Sequence, residues 1–142
     1  MHLPLDVMFQ LFDSMVMPIL LFSCEVYGIE SLDIIERVHL KFCKHILRLK
    51  KSTPNYMVYG ESGRFPLSVE IKVRLISYWC KLVTGQCSKL SSKCYGSLLH
   101  LHRSNIVHSP WIAYVEQVLN ESGLAMSLCR TSSRMSNGLK KQ

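Results

Sequence analysis

Aspartate is scarce in this chain: Asp6, Asp13 and Asp33 are the only three in 142 residues, and no two are adjacent. Nucleotidyl transfer needs clustered carboxylates to hold two divalent cations, so that chemistry is not expected here. There is no Gly-rich phosphate loop ending in Lys-Ser or Lys-Thr, and no Gly-x-Ser-x-Gly nucleophile elbow. His39 and His45 flank Cys43, but Cys-His proximity along one helix is a weak sign of a nucleophile. The expectation is a protein that is not an enzyme, with no cofactor and no small-molecule substrate.

Long hydrophobic runs are missing as well. The most apolar stretch, Met15 to Cys24, is short and contains Pro18, whereas a membrane span needs about 20 residues. The segment before it has no Lys or Arg, so neither a membrane anchor nor a signal peptide is expected. No Cys-x-x-Cys pair occurs among Cys24, Cys43, Cys80, Cys87, Cys94 and Cys129. These suit reduced thiols packed as small hydrophobes in an intracellular protein, nuclear or cytoplasmic. Cys80, Cys87 and Cys94 recur every seven residues and precede His100 and His102. A zinc site built from Cys80, Cys87, Cys94 and His100 is the alternative, although the spacing matches no standard finger or ribbon.

Apolar residues make up 48% of the chain, enough for an ordered core. The net charge of +7 is unevenly spread. Residues 1–36 carry six acidic side chains and no Lys or Arg; residues 37–103 carry thirteen Lys or Arg against Glu61 and Glu70. A basic middle of this kind suits a polyanionic partner, most often nucleic acid, though a solvated helical surface has the same composition.

Helical periodicity dominates and no alternating strand pattern appears, so an all-α fold of about five helices is expected. Apolar residues at Val7, Met8, Leu11, Phe12, Met15, Ile19 and Phe22 mark a first helix from Leu5 to about Leu21, kinked or split at Pro18. Gly28 punctuates the next stretch. Ser31 or Asp33 is expected to cap a second helix, with Asp33-x-x-Glu36 as a capping box. It should run to about Leu49 or Lys51, before Pro54. A short helix over Asn55 to Tyr59 is expected before a third, opened by Pro66 and carrying Leu67, Ile71, Leu75, Tyr78 and Leu82 on one face. Gly85 to Ser92 reads as a loop and Cys94 to His102 as a fourth helix. Ser109-Pro110 then opens a fifth, with Trp111, Val115, Val118 and Leu119 inward and Gly123 as its stop. Residues 1–125 form one helical segment in this reading, and residues 126–142 a disordered tail.

The second helix is the most informative element. Arg37, Lys41, Lys44, Arg48 and Lys51 are spaced +4, +3, +4, +3, which at ~100° per residue places them within an arc of roughly 80°. Ile35, Val38, Phe42, Ile46 and Leu49 gather on the other side. Such a helix docks its apolar face and presents a basic ridge able to follow a phosphate backbone without reading sequence.

YGESGRFPL, from Tyr59 to Leu67, holds a Gly-x-x-Gly and Arg64. Loops of that form clamp phosphates in some RNA-binding domains, but they sit beside strands. Glu61 would also repel a phosphate. A corner between two helices fits better, with Gly60 and Gly63 relaxing the backbone and Arg64 added to the ridge.

LFDSMVMPILLFSCEVYG, IERVHLKFCKHILRLKKSTPNYMVYGESGRFPL and IKVRLISYWCKLV together carry a likeness. In order and spacing they resemble the reverse transcriptases of LINE-type (non-LTR) retrotransposons, in the region C-terminal to the catalytic palm. The resemblance spans roughly Leu3 to Leu124 and includes Trp79 and Ser109-Pro110-Trp111; Ser62 departs from it, where a larger apolar residue is expected. It implies a thumb-like piece of an RNA-directed DNA polymerase, whose relatives hold the template–primer duplex. The aromatic-x-Asp-Asp segment of such polymerases is not in this sequence. The nucleic-acid-binding residues expected are therefore Arg37, Lys41, Lys44, Arg48, Lys51 and Arg64, with an RNA–DNA or other duplex as partner. The competing expectation is a helical structural or protein-interaction remnant, with Met8, Leu11 and Met15 as its apolar surface.

Overall fold

A computed structural model describes residues 4–124. The fold is all-α, with seven α-helices, one π-helical turn and no strand among the described residues. The tail expected over residues 126–142 lies outside them, as does Cys129. No helix among the described residues is long and apolar enough to cross a membrane.

The expected first helix is α1 (Leu5–Leu11), a π-turn (Phe12–Val16) and α2 (Met17–Leu20). Pro18 explains the change of pitch. Its ring would collide with the Ser14 carbonyl in a regular α-helix. The turn ahead of it widens instead, so that the Met17 N–H bonds to the Phe12 carbonyl five residues back.

Ser23, with φ of 51°, turns the chain into α3 (Cys24–Ile46). This helix starts well before the expected Ser31 or Asp33 cap and runs through Gly28, which does not punctuate it. A glycine inside a helix costs only about 1 kcal/mol relative to alanine. Burying Leu21, Cys24 and Ile35 together outweighs that. Asp33 and Glu36 are interior helical residues rather than a capping box.

The remaining elements are α4 (Asn55–Ser62), α5 (Leu67–Thr84), α6 (Lys89–Arg103) and α7 (Pro110–Glu121). Ser88 caps α6, accepting the Ser91 N–H at 3.2 Å, which starts that helix inside the expected Gly85 to Ser92 loop. Ser109 caps α7 as expected, with Pro110 in its first turn.

Helices α3 to α7 all end in one way. A residue in the left-handed conformation follows each, and the next N–H reaches five residues back. The left-handed residues are Arg48, Gly63, Gly85, Asn105 and Gly123. The closing bonds are Leu49 to Lys44, Arg64 to Tyr59, Gln86 to Lys81, Ile106 to Leu101 and Leu124 to Leu119, at 2.8 to 3.3 Å. The corner in YGESGRFPL is thus Gly63 alone, because Gly60 lies within α4.

Where one helical segment is expected, the chain divides into two compact units, the first ending at Val73 and the second starting at Arg74, inside α5. The first unit holds two buried clusters. One is Leu21, Cys24, Ile35, Leu67 and Ile71; the other is Leu40, Cys43 and Val58, with Phe9, Phe42, Leu49 and Tyr59 against it. The second unit has one contiguous core of Leu75, Trp79, Leu82, Tyr95, Leu99, Ile112, Val115, Val118 and Leu119. At its centre the Trp79 Nε1–H donates to the Tyr95 hydroxyl at 2.9 Å. The Tyr95 and Trp111 rings meet edge to face, 6.1 Å apart.

Candidate nucleic-acid interface

Helix α3 buries a stripe of Ile35, His39, Leu40 and Cys43. Phe42 and Ile46 are half-buried, while Val38, expected inward, is exposed. The stripe is therefore rotated toward the basic residues, and Leu40 lies beside Arg37, Lys41 and Lys44.

The basic ridge is not one continuous helical face. Helix α3 stops at Ile46, short of the expected Leu49 or Lys51. Arg48 takes the left-handed position of the closing turn, with φ of 52°, and breaks the 3.6-residue register. Only Arg37, Lys41 and Lys44 share the helical face.

Lys51 rejoins them by another route. The Lys44 ammonium donates to the Lys51 carbonyl at 3.1 Å and to the Asn55 Oδ1 at 3.3 Å, tying the end of α3 to the start of α4. Between these elements lies a groove of about 560 Å3 whose rim is Arg37, Lys41, Lys44 and Lys51. Leu40 and Leu49 also line it, together with His45 and Asn55. Four cations around one concavity form a strongly positive site; Arg48 is not among its lining residues.

Arg64 sits elsewhere. Its guanidinium forms an ion pair with Asp13 and lies over the Phe9 and Phe12 rings, 5.1 and 5.7 Å from their centroids. The Gly63 corner aims Arg64 inward, so its charge is met within the first unit and it does not extend the ridge.

Beside that pair is a partly buried polar cluster. The Glu36 carboxylate accepts the Tyr59 hydroxyl and the Ser68 N–H, the latter at 3.1 Å, clamping α3 to α4 and to the start of α5. Burial, and then Glu36, hold the Tyr59 hydroxyl well above the ordinary phenol range. His39 is fully buried, 5.8 Å from the Phe12 ring in a stacked arrangement, with no hydrogen bond to either ring nitrogen. Burial and then the Arg64 charge push its pKa below 6.5, although Glu36 lies 3.7 Å away and acts in the opposite sense. The Cys43 thiol is pushed up by burial, the reverse of what activates a nucleophile.

Among the described residues no group of three or more His, Cys, Asp or Glu is placed to hold a metal ion. Cys80, Cys87, Cys94 and His100 are therefore not brought together as such a set. Cys80 and Cys94 are exposed and Cys87 half-buried.

Compared with protein-family models, with curated proteins and with solved structures, the chain shows no match.

The closing turn at Arg48 is invisible in the sequence because arginine carries no left-handed signature. Leu49 and Asn55 are equally hidden, because they reach the groove only after that turn. The ion pair of Arg64 with Asp13 joins residues 51 apart in sequence, a separation no local pattern reports.

Proposed function

We propose that this chain is a non-catalytic, sequence-tolerant nucleic-acid-binding segment, derived from the region C-terminal to the palm of a LINE-type reverse transcriptase. Its partner is an RNA–DNA or similar duplex inside the cell. The observation that carries the reading is the convergence of Arg37, Lys41, Lys44 and Lys51 on one groove. The ordered spacing of LFDSMVMPILLFSCEVYG through IKVRLISYWCKLV supports the origin.

Cations on a rim bind phosphates by releasing condensed counterions. Affinity then falls linearly with salt on logarithmic axes, by about 0.9 per phosphate neutralised. Four rim cations predict a slope of roughly −3 to −4. Fluorescence anisotropy with an RNA–DNA duplex tests this directly. Arg37→Glu with Lys41→Glu should abolish binding while circular dichroism stays unchanged, since both side chains are exposed. Lys44 is left in place because it holds the turn. Affinity for duplex untouched by the double substitution would overturn the proposal.

A second reading, as a protein-interaction segment, is favoured by one surface. Leu11, Met15, Ile19 and Phe22 lie 45, 65, 76 and 80% exposed along the first helices, while Met8 is half-buried. Large apolar side chains in a row are the usual mark of a contact surface. Sedimentation with an apolar dye tests it: a monodisperse monomer that binds no dye would remove this reading.

A further inference from the structure

A row of cations suits a convex ridge, yet this one surrounds a hollow. The volume of about 560 Å3 falls within the roughly 300 to 1,000 Å3 typical of sites for small organic groups. Phosphates are bound by charge and hydrogen bonds and gain nothing from apolar lining residues. Leu40 and Leu49, which pack in the cluster with Cys43 and Val58, nevertheless line the groove as well.

The other two lining residues match a base. His45 is exposed and brings a flat ring of the kind on which bases stack. The Oδ1 of Asn55 accepts from Lys44, which turns its amide nitrogen into the donor available to an acceptor on a base edge.

We infer that this groove receives a single unstacked nucleotide, its base against Leu49 and His45 and its flanking phosphates on Arg37, Lys41 and Lys51. The inference rests on the duplex-binding reading above and adds to it a preference for a strand with an unpaired position. Extrusion is cheapest where the base already lacks a partner, so a bulge is the preferred occupant. A free nucleoside monophosphate has the same base and phosphate chemistry but lacks the phosphates on either side.

Anisotropy titrations of the full chain and of His45→Ala separate these cases. Three labelled probes are used: a continuous RNA–DNA duplex, the same duplex with one bulged nucleotide, and a nucleoside monophosphate. The bulged duplex should bind about tenfold more tightly than the continuous one, as expected for one stacked base. The free monophosphate should bind far more weakly than either. His45→Ala should bring the two duplex affinities together, and alanine at this exposed helical position keeps the helix. Equal affinities in the unsubstituted chain, or a preference that survives His45→Ala, would overturn the inference. A monophosphate bound as tightly as the bulge would overturn it in favour of a free-nucleotide site. Binding to neither duplex would instead defeat the charge-driven reading beneath it.

Discussion

The two units of this chain are held together by different physics. The second, from Arg74 onward, has one contiguous apolar core with the Trp79–Tyr95 hydrogen bond at its centre. The first splits its apolar residues between two clusters and joins its helices with polar ties. Glu36 bridges Tyr59 and Ser68, Arg64 meets Asp13, and Lys44 laces the end of α3 to Lys51 and Asn55. Dispersion and burial are nearly indifferent to pH and salt, whereas ties between charged groups are not. The charged ties of the first unit, which carries the candidate interface, should make its stability respond to pH and salt.

Trp79→Ala should have the largest effect. It empties the centre of the second core and leaves the Tyr95 hydroxyl without its donor, at a cost of about 3 to 5 kcal/mol. Urea denaturation followed by circular dichroism measures it. A loss below about 1 kcal/mol would show that this core is less continuous than its packing indicates.

Tyr59→Phe comes next. It removes a hydrogen bond to a partly buried carboxylate, and such bonds contribute about 1.5 to 3 kcal/mol. An unchanged midpoint would mean that Glu36 finds an equivalent donor.

Acidification separates the units more finely. His39 is harder to protonate in the fold, its pKa lowered from 6.5 by burial and then by Arg64. As pH falls through 6.5 the unfolded chain takes up a proton that the folded chain refuses, so stability declines and levels off below the folded pKa. Both tryptophans, Trp79 and Trp111, lie in the second unit, so their fluorescence reports that unit alone. On going from pH 7 to below 6, the transition seen by circular dichroism should shift more than the one seen by tryptophan fluorescence. His39→Gln should remove the difference. Identical shifts for both probes would show that the two units unfold as one.

The smallest effect belongs to Arg48→Gly. A left-handed arginine is strained, and glycine relieves that at some entropic cost, for a net gain of about 0.5 to 1 kcal/mol. Arg48 is not among the residues lining the groove, so duplex affinity should fall far less than with Arg37→Glu and Lys41→Glu. An equal loss would return Arg48 to the binding face.

Much of the second unit was legible in the sequence. Ser109-Pro110 marked the start of α7 and Gly123 its end, and the 3.6-residue spacing picked out Leu75 and Leu82. Those signals act within a turn or two of chain, which is the range a linear pattern can report. Ile112 was missed beside Trp111 because neighbours in a helix compete for one face, and only packing decides which is fully covered. In the first unit, punctuation misled. Gly28 and Gly60 sit inside helices, while Arg48 takes the place of a glycine.

By itself the sequence determined a helical chain, an interruption of the first helix near Pro18 and a cationic stretch beginning at Arg37, because each follows from local sterics, periodicity or charge. Tertiary structure decided what those charges do. It withdrew Arg64 into a pair with Asp13, displaced Arg48 into a turn and carried Lys51 back to meet Lys41 and Lys44 around a hollow that Leu40 and Leu49 also line. The reason is that a closing turn changes direction within three residues, and every side chain beyond it is placed by packing and hydrogen bonds rather than by helical phase.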